Sequence, residues 1–466
     1  MHYVSTRGAA ERLAFDDVVL SGLARDGGLY VPETWPRLSD DDIRSWGALD
    51  YPALAVKVMT PFMTGSCIGP ERLFDLVSEA YAGFRHRAVT PLSQLAVNDW
   101  LLELYHGPTL AFKDLALQCL GRLFDDILAA RGQTVTIVGA TSGDTGSAAI
   151  EAVRDRENVR IFMLHPKGRV SEVQRRQMTS VMAPNVFNIA VEGNFDDCQA
   201  LVKDLFNDLP FRDEVNLSAV NSINWARVMA QVVYYFHAAL SLGGPERPVA
   251  FSVPTGNFGD VFAGYVAARM GLPVAGLVVA TNVNDILART LNSGAHALGT
   301  VTPTISPSMD IQVSSNFERL LFDLYDRDGG AISRLMTELK TEKSFTLDQG
   351  ILARAAELFR AERVDENETK AIMAAVWRES GRLIDPHTAV GLAAARRRAA
   401  PGTPMVTLST AHPAKFPDAV KAATGEHPAL PKALADLLDR PERFDTLAND
   451  AAALKAYILA RREDSR

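Results

Sequence analysis

The chain has 466 residues, 47% hydrophobic and 22% charged, a balance that fits a water-soluble globular protein of two or three domains with a sizeable core. Its formal net charge of -8 argues against nucleic acid as a partner, and it obliges any anionic substrate to be met by cations placed at the site itself. Cys67, Cys119 and Cys198 show neither C-x-x-C nor metal spacing, the Met1 to Arg7 start lacks the regions of a signal peptide, and no apolar run is long enough to cross a membrane. A cytoplasmic protein without disulfides, metal or membrane partner is therefore expected.

Residues 1–88 hold tryptophans, prolines and helical patches such as Ser78 to Phe84, and predict a mostly helical N-terminal domain. Residues 89–242 predict an α/β domain, with strands at Trp100, Thr134, Val159 and Val186 alternating with helices as in a parallel sheet covered on both faces. Within it, Gly107-Pro108 breaks the strand from Trp100 to Tyr105, after which Leu117, Leu120, Leu123, Phe124, Ile127 and Leu128 recur at helical spacing. Lys113 falls near the N-terminus of that helix, between Phe112 and Leu115. The helix dipole and partial desolvation both disfavour a cation there, so a lowered pKa and a nucleophilic amine able to hold a carbonyl cofactor as a Schiff base are expected. On that residue alone, a solvated surface lysine is the alternative reading.

The strand Thr134 to Gly139 runs into Ala140-Thr-Ser-Gly-Asp-Thr-Gly-Ser-Ala148, followed by a helix from Ala149 to Arg156. Strand, hydroxyl-rich glycine loop and helix N-terminus together make an anion site, or else a plain β-α turn. Gly139, Gly143 and Gly146 match neither a P-loop nor a dinucleotide fingerprint. Residues 243–466 repeat the alternation, from the strand Pro248 to Val253 through a second glycine loop, Pro254-Thr-Gly-Asn-Phe-Gly-Asp260, and the helix Val261 to Met270 to a last strand at Met405 to Leu408. The second loop contains no lysine or arginine, so a phosphate held there would rest on backbone N–H groups and Asn257. Asp326 to Gly330 reads as a loop, Asp365 and Glu368 have a capping-box-like spacing, and Pro428 to Arg466 reads as a helical, charged tail.

Taken with these segments, Tyr3-Val-Ser-Thr-Arg-Gly8, Gly22-Leu-Ala-Arg-Asp-Gly-Gly-Leu-Tyr-Val-Pro32, Asn221-Ser-Ile-Asn-Trp-Ala-Arg227, Ser306-Pro-Ser-Met-Asp310, Asp385-Pro-His-Thr-Ala389 and Thr410-Ala-His-Pro-Ala-Lys-Phe416 give the chain, over nearly its whole length, a resemblance. It resembles the longer threonine synthases of bacteria and fungi, within the tryptophan-synthase-β-like (fold type II) pyridoxal-phosphate enzymes. That resemblance implies an α/β fold with two sheet domains and a helical N-terminal domain, pyridoxal 5'-phosphate as cofactor, and conversion of O-phospho-L-homoserine and water to L-threonine and phosphate. It implies that Lys113 carries the cofactor and moves protons at Cα. It implies further that Gly256, Asn257, Phe258, Gly259 and Asp260 hold the cofactor phosphate, and that Thr410, with Ser409 as the fallback, meets the pyridine nitrogen. Thr141, Ser142, Gly143 and Thr145 are implied at the substrate carboxylate, and Asn221, Ser222, Asn224 and Arg227 at the substrate phosphate.

Many fold type II enzymes carry an asparagine where this chain, like the longer threonine synthases it resembles, has Asp144. Beside the ring's phenolic oxygen, one proton is expected to be shared between that oxygen and the Asp144 carboxylate. The roles of His106, His387, His412 and Lys415 are open, as is the choice between monomer and homodimer. A threonine or serine dehydratase would share Lys113 and both loops without needing Arg227, and a non-catalytic relative would be free to lose Lys113.

Overall fold

Apolar runs such as Val249–Pro254, buried along their whole length, cannot leave either face in water, and they form the centres of two parallel sheets. The structure, a computed structural model, describes residues 1–141, 143–218, 220 and 222–463. The larger sheet has the order Phe359–Arg363, Val274–Thr281, Val249–Pro254, Met405–Ser409, Asp99–Glu103 and Leu92–Ala96. Its neighbours run parallel except at the Leu92–Ala96 edge. In the smaller sheet Asp445–Leu447, Val186–Val191, Val159–Pro166, Val135–Ala140 and Leu217–Ser218 are all parallel.

Sheet membership does not follow the segments 89–242 and 243–466. The strand around Trp100 pairs with Met405–Ser409 rather than with Val135–Ala140, a long-range pairing that local alternation cannot specify. Likewise the tail is not helical throughout: Asp445–Leu447 adds an edge strand to the smaller sheet before the helix Ala451–Glu463. The expected loop at Asp326 to Gly330 ends in a helix start, since the Asp328 carboxylate accepts the Ala331 N–H at 3.0 Å and caps Gly329–Glu342. Asp365 caps its helix as its spacing predicts, accepting the Glu368 N–H at 2.9 Å.

The N-terminal unit combines helices such as Tyr51–Met59 and Pro70–Ala82 with a small antiparallel sheet of His2–Ser5, Leu13–Ala14 and Tyr30–Pro32, which its composition did not announce. Tyr3 is wholly buried against Phe15 and Trp225, and its hydroxyl donates to the Phe62 carbonyl at 2.8 Å. Two charged side chains fasten this unit to the rest. Arg7 pairs with Glu318 at 3.1 Å, and the buried Arg319 donates to the carbonyls of Tyr30 and Ile223 and to the Asn316 side chain.

The helix Trp225–Ser241, buried along nearly all its length, packs against both Lys113–Arg131 and Gly259–Met270, while Lys113–Arg131 also packs against Asp144–Val153. These contacts bring together four helices whose first turns carry motif residues. Because Arg319 satisfies three oxygens at the seam of the N-terminal unit, Arg319→Met strands buried acceptors. We expect it to cost about 3 kcal/mol, read as a lower midpoint in urea unfolding.

Candidate active site

Three adjacent strands of the larger sheet, Val249–Pro254, Met405–Ser409 and Asp99–Glu103, end side by side, so motifs more than a hundred residues apart open at one edge, as expected at the carboxyl ends of a parallel sheet. The segments interlock directly: the Phe112 N–H donates to the Thr410 carbonyl at 2.8 Å, and the His412 N–H to the Leu110 carbonyl at 3.0 Å. The turn before Lys113 is closed by Asp114, which accepts both the Thr109 N–H, at 2.8 Å, and the Thr109 hydroxyl, at 2.6 Å. Burial pushes the Asp114 carboxyl up to about 6 against those bonds.

Lys113 is the first residue of its helix and keeps a partly exposed side chain, its Nζ 3.5 Å from Asp144 Oδ2 and 5.5 Å from the centre of the Phe112 ring. Burial holds its amine below the usual lysine range; Asp144 pulls it back up, while the charges of Lys415 and Arg227 push it further down. Arg227 therefore stands within electrostatic reach of Lys113. It lies in the first turn of Trp225–Ser241 with its Nε and Nη1 buried and without a partner among the described residues, and burial lowers its guanidinium to about 10. A buried guanidinium with unused donors at a helix N-terminus is a place made for an anion.

Asp144 opens the helix Asp144–Val153, earlier than the expected start at Ala149. Its Oδ1 receives Lys415 Nζ and Gln174 Nε2, each at 2.8 Å, and its Oδ2 faces Lys113. Burial pushes the Asp144 carboxyl up, but Lys415 and Lys113 outweigh it and hold it well below the usual carboxylate range. In the protein without ligand, Asp144 is thus paired with two cations, Lys415 and Lys113. Lys415, whose role the sequence left open, is neither a helix cap nor a surface group. It is wholly buried and donates to Asp144, to the Thr109 carbonyl at 2.7 Å and to Gln177 Oε1 at 3.1 Å.

The loop after Val249–Pro254 turns its carbonyls away from the opening. Ser314 donates to the Gly256 carbonyl at 2.8 Å, and Asn316 donates twice to that of Asn257. The N–H groups of Gly256, Asn257 and Phe258 have no protein partner among the described residues, so they form a row of free donors. Phe258 takes φ +63° so that its ring packs against Phe317 and Phe359, away from the loop's open side. Gly256 is required by space: a Cβ there would lie 2.6 Å from the Ser308 carbonyl oxygen. Asn316, which no motif flagged, also donates to the Ser222 carbonyl at 3.2 Å and thereby ties this loop to the segment carrying Arg227.

Several expected contacts are corrected by these surroundings. The Asp260 side chain accepts the hydroxyls of Tyr234 at 2.5 Å and Tyr235 at 3.0 Å, and burial pushes its carboxyl up to about 7, so it braces two helices rather than facing a phosphate. Asn224 is a helix cap, accepting the Ala226 N–H at 3.0 Å and donating to the Val19 carbonyl at 2.8 Å. Thr141 accepts the N–H groups of Gly143 and Gly146, so Thr141 and Gly143 shape their loop from within. Gly143 has φ +151°, with Gln174 where a Cβ would stand. Thr145 keeps a half-buried hydroxyl in the first turn, and the Ser222 hydroxyl lies 3.4 Å from that of Ser315. Ser142 and Asn221 lie outside the described residues.

The Thr410 hydroxyl has no partner among the described residues, whereas Ser409 is engaged with Thr388 at 3.0 Å. The histidines have structural partners: His106 with Glu103 at 2.8 Å, His387 with Asp385 at 2.8 Å and the Ser308 N–H, and His412 with the Ala414 N–H, burial lowering His412 to about 4. An amine, free backbone donors, an unpaired hydroxyl and an unpaired guanidinium are the groups that pyridoxal phosphate and an anionic amino acid would use.

Comparison with known proteins agrees with this geometry. The family model described as Threonine synthase N terminus matches residues 2–81, that described as Pyridoxal-phosphate dependent enzyme residues 84–410, and that described as Threonine synthase, C-terminal residues 388–458. A threonine synthase of Pseudomonas aeruginosa is 56% identical over 460 residues, 98% of either chain. The crystal structure of PLP-bound threonine synthase from Brucella melitensis superposes with a TM-score of 0.97 at 55% identity, and that of the yeast threonine synthase with 0.95 at 39%, each covering 99% of both chains. Among the described residues no helix is long and apolar enough to cross a membrane, and no group of side chains has the makings of a metal site. Gly256→Ala is expected to push Ser308 off the loop and weaken cofactor retention by at least about tenfold, measured by titrating apoprotein with pyridoxal phosphate.

Proposed function

The chain belongs to the threonine synthase family of pyridoxal-phosphate dependent enzymes, and from that premise we propose that it converts O-phospho-L-homoserine and water into L-threonine and phosphate. The observation that carries this reading is Arg227, a buried cation with unused donors beside the reactive lysine. A substrate whose leaving group is a phosphate answers that cation; a dehydratase substrate does not.

Pyridoxal phosphate, when bound, supplies the electron sink that lets an amino acid lose protons from Cα and Cβ. The free N–H groups of Gly256, Asn257 and Phe258, with Gly259 next to them, would hold its phosphate, Lys113 would hold its carbonyl carbon, and the Thr410 hydroxyl would meet its ring nitrogen. With its amine free, Lys113 would take the proton from the substrate Cα and later return one, being the amine placed at that side of the site. Arg227 and the hydroxyl of Ser222 orient the substrate phosphate, and Arg227 balances its growing charge as the Cγ–O bond breaks. Thr145, with Ser142 of the same loop, holds the substrate carboxylate at the N-terminus of the Asp144–Val153 helix. The proton removed from Cβ is balanced by one added at Cγ, which becomes the methyl group once phosphate has left, and water would add at Cβ to give the threonine hydroxyl. The reading also takes in a cytoplasmic site of action, which the three free thiols suit.

Assaying phosphate release from O-phosphohomoserine together with threonine formation tests the assignment; deamination of threonine or serine without phosphate chemistry would replace it with the dehydratase reading. Lys113→Ala is expected to abolish turnover and the visible absorption of the lysine-bound cofactor. Arg227→Ala should lower kcat/KM for O-phosphohomoserine by about 3 kcal/mol, with KM rising and kcat falling, while cofactor affinity holds. Loss of cofactor with unchanged substrate kinetics would instead assign Arg227 to the cofactor.

A further inference from the structure

Lys415 sits 302 residues along the chain from the reactive lysine, yet both ammonium groups meet the two oxygens of one carboxylate: Lys415 at Asp144 Oδ1, 2.8 Å, and Lys113 at Oδ2, 3.5 Å. Lys415 has three acceptors for its three N–H donors, Asp144, the Thr109 carbonyl and Gln177 Oε1, so nothing of it remains for a substrate or cofactor oxygen. Gln174 adds a second donor to the same Oδ1, leaving Oδ2 as the oxygen turned to Lys113. The Thr109 carbonyl that anchors Lys415 belongs to the turn closed by Asp114 just before Lys113, so Lys415 is fixed to the very loop it serves.

We propose that Lys415 is a positioning residue of this site: its ammonium holds Asp144 as a carboxylate aimed at Lys113, so that Lys113 gives up its own charge without leaving a lone buried anion. With Lys113 as the sole cation at Asp144, deprotonating that amine would leave a buried carboxylate with no counter-charge beside it, a state costly enough to keep Lys113 charged and unreactive. With Lys415 in place the carboxylate stays paired whichever form Lys113 takes. The charged groups facing the pair are few. Asp144, Lys415 and Arg227 act on Lys113, while Asp114 feels Lys415 from behind the turn and in turn faces Arg85. Lys415 and Arg227 both favour the neutral amine, and only Asp144 opposes it.

The inference rests on Lys113 being the amine that carries the cofactor, and its test needs neither cofactor nor substrate, so its failure leaves the substrate assignment standing. The apoprotein is treated with an acylating amine reagent across a range of pH, and labelling of the Lys113 peptide is quantified by mass spectrometry. Lys415→Met is expected to move the Lys113 labelling curve to higher pH, so that at a pH below both midpoints labelling slows by about tenfold for each unit moved. Asp144→Asn is expected to move it the other way. Lys415→Met should move the curve by less in the Asp144→Asn background than in the unaltered protein, because the carboxylate that Lys415 restrains is gone. Should Lys415→Met not fold, Asp144→Asn and Asp144→Asn/Lys415→Met, in which no buried anion is left unpaired, are compared directly. The direct repulsion between the two lysines still predicts a higher midpoint in the double variant. Superimposable Lys113 curves with and without Lys415, in either background, would overturn the proposal. Additive shifts of the two single substitutions would overturn the part assigned to Asp144.

Discussion

The constraint on which this site depends is the burial of more positive than negative charge. Among the described residues Lys113 and Lys415 stand at the Asp144 carboxylate and the charge of Arg227 reaches Lys113, in a protein whose formal net charge is -8. Buried cations are costly unless paired, and only Lys415 has its full complement of acceptors. The surplus is tolerable because helix N-termini, free N–H donors and Arg227 all wait for anions that the ligands bring. Lys113 benefits from the same imbalance, since its neighbours favour the uncharged amine that its chemistry requires.

Holding such a surplus in place demands rigid walls, and the fold supplies them at a distance from the chemistry. Arg319 reaches from the N-terminal seam to Asn316, and Asn316 spans the carbonyls of Asn257 and Ser222. A single amide thus fixes the spacing between the expected cofactor-phosphate loop and the segment that carries Arg227. On the opposite side, His387 accepts the Ser308 N–H, and the Ser308 carbonyl closes on Gly256. The Asp310 carboxylate gathers Asn282, Asn284 and Thr304 behind that loop. The Ser306 to Asp310 motif therefore shapes a wall.

What the sequence made legible was local. The glycine loops, the helix following Lys113 and the half-buried alternation of strands and helices were readable because each is written in adjacent residues. The sheet that takes Asp99–Glu103 was not, since its partner Met405–Ser409 lies some three hundred residues away. Separation along the chain likewise hid the role of Lys415 and the places of Gln174, Gln177 and Asn316, ordinary polar residues whose partners only the fold brings near. Asn224 and Asp260 were misassigned for another reason. Each has a residue type suited to ligands and stands beside a motif, but helix capping in one case and a pair of tyrosines in the other claimed its side chain.

The acid surface and the basic interior bear on selectivity in different ways. A net negative protein does not steer anions from solution, so long-range attraction contributes little to choosing the substrate. Choice is left to contact, where an unpaired guanidinium discriminates by penalty as much as by attraction. A ligand that brings no anion to it leaves Arg227 desolvated and unpaired, whereas an anion at the right reach restores what burial removed. A pocket built in this way rejects analogues that lack the polar group more firmly than an apolar pocket rejects a missing methylene. Arg227 lies where its charge also acts on Lys113. An anion that pairs with Arg227 therefore relaxes one of the forces holding Lys113 uncharged, so that anion binding at Arg227 and the basicity of Lys113 are coupled through the same buried charge.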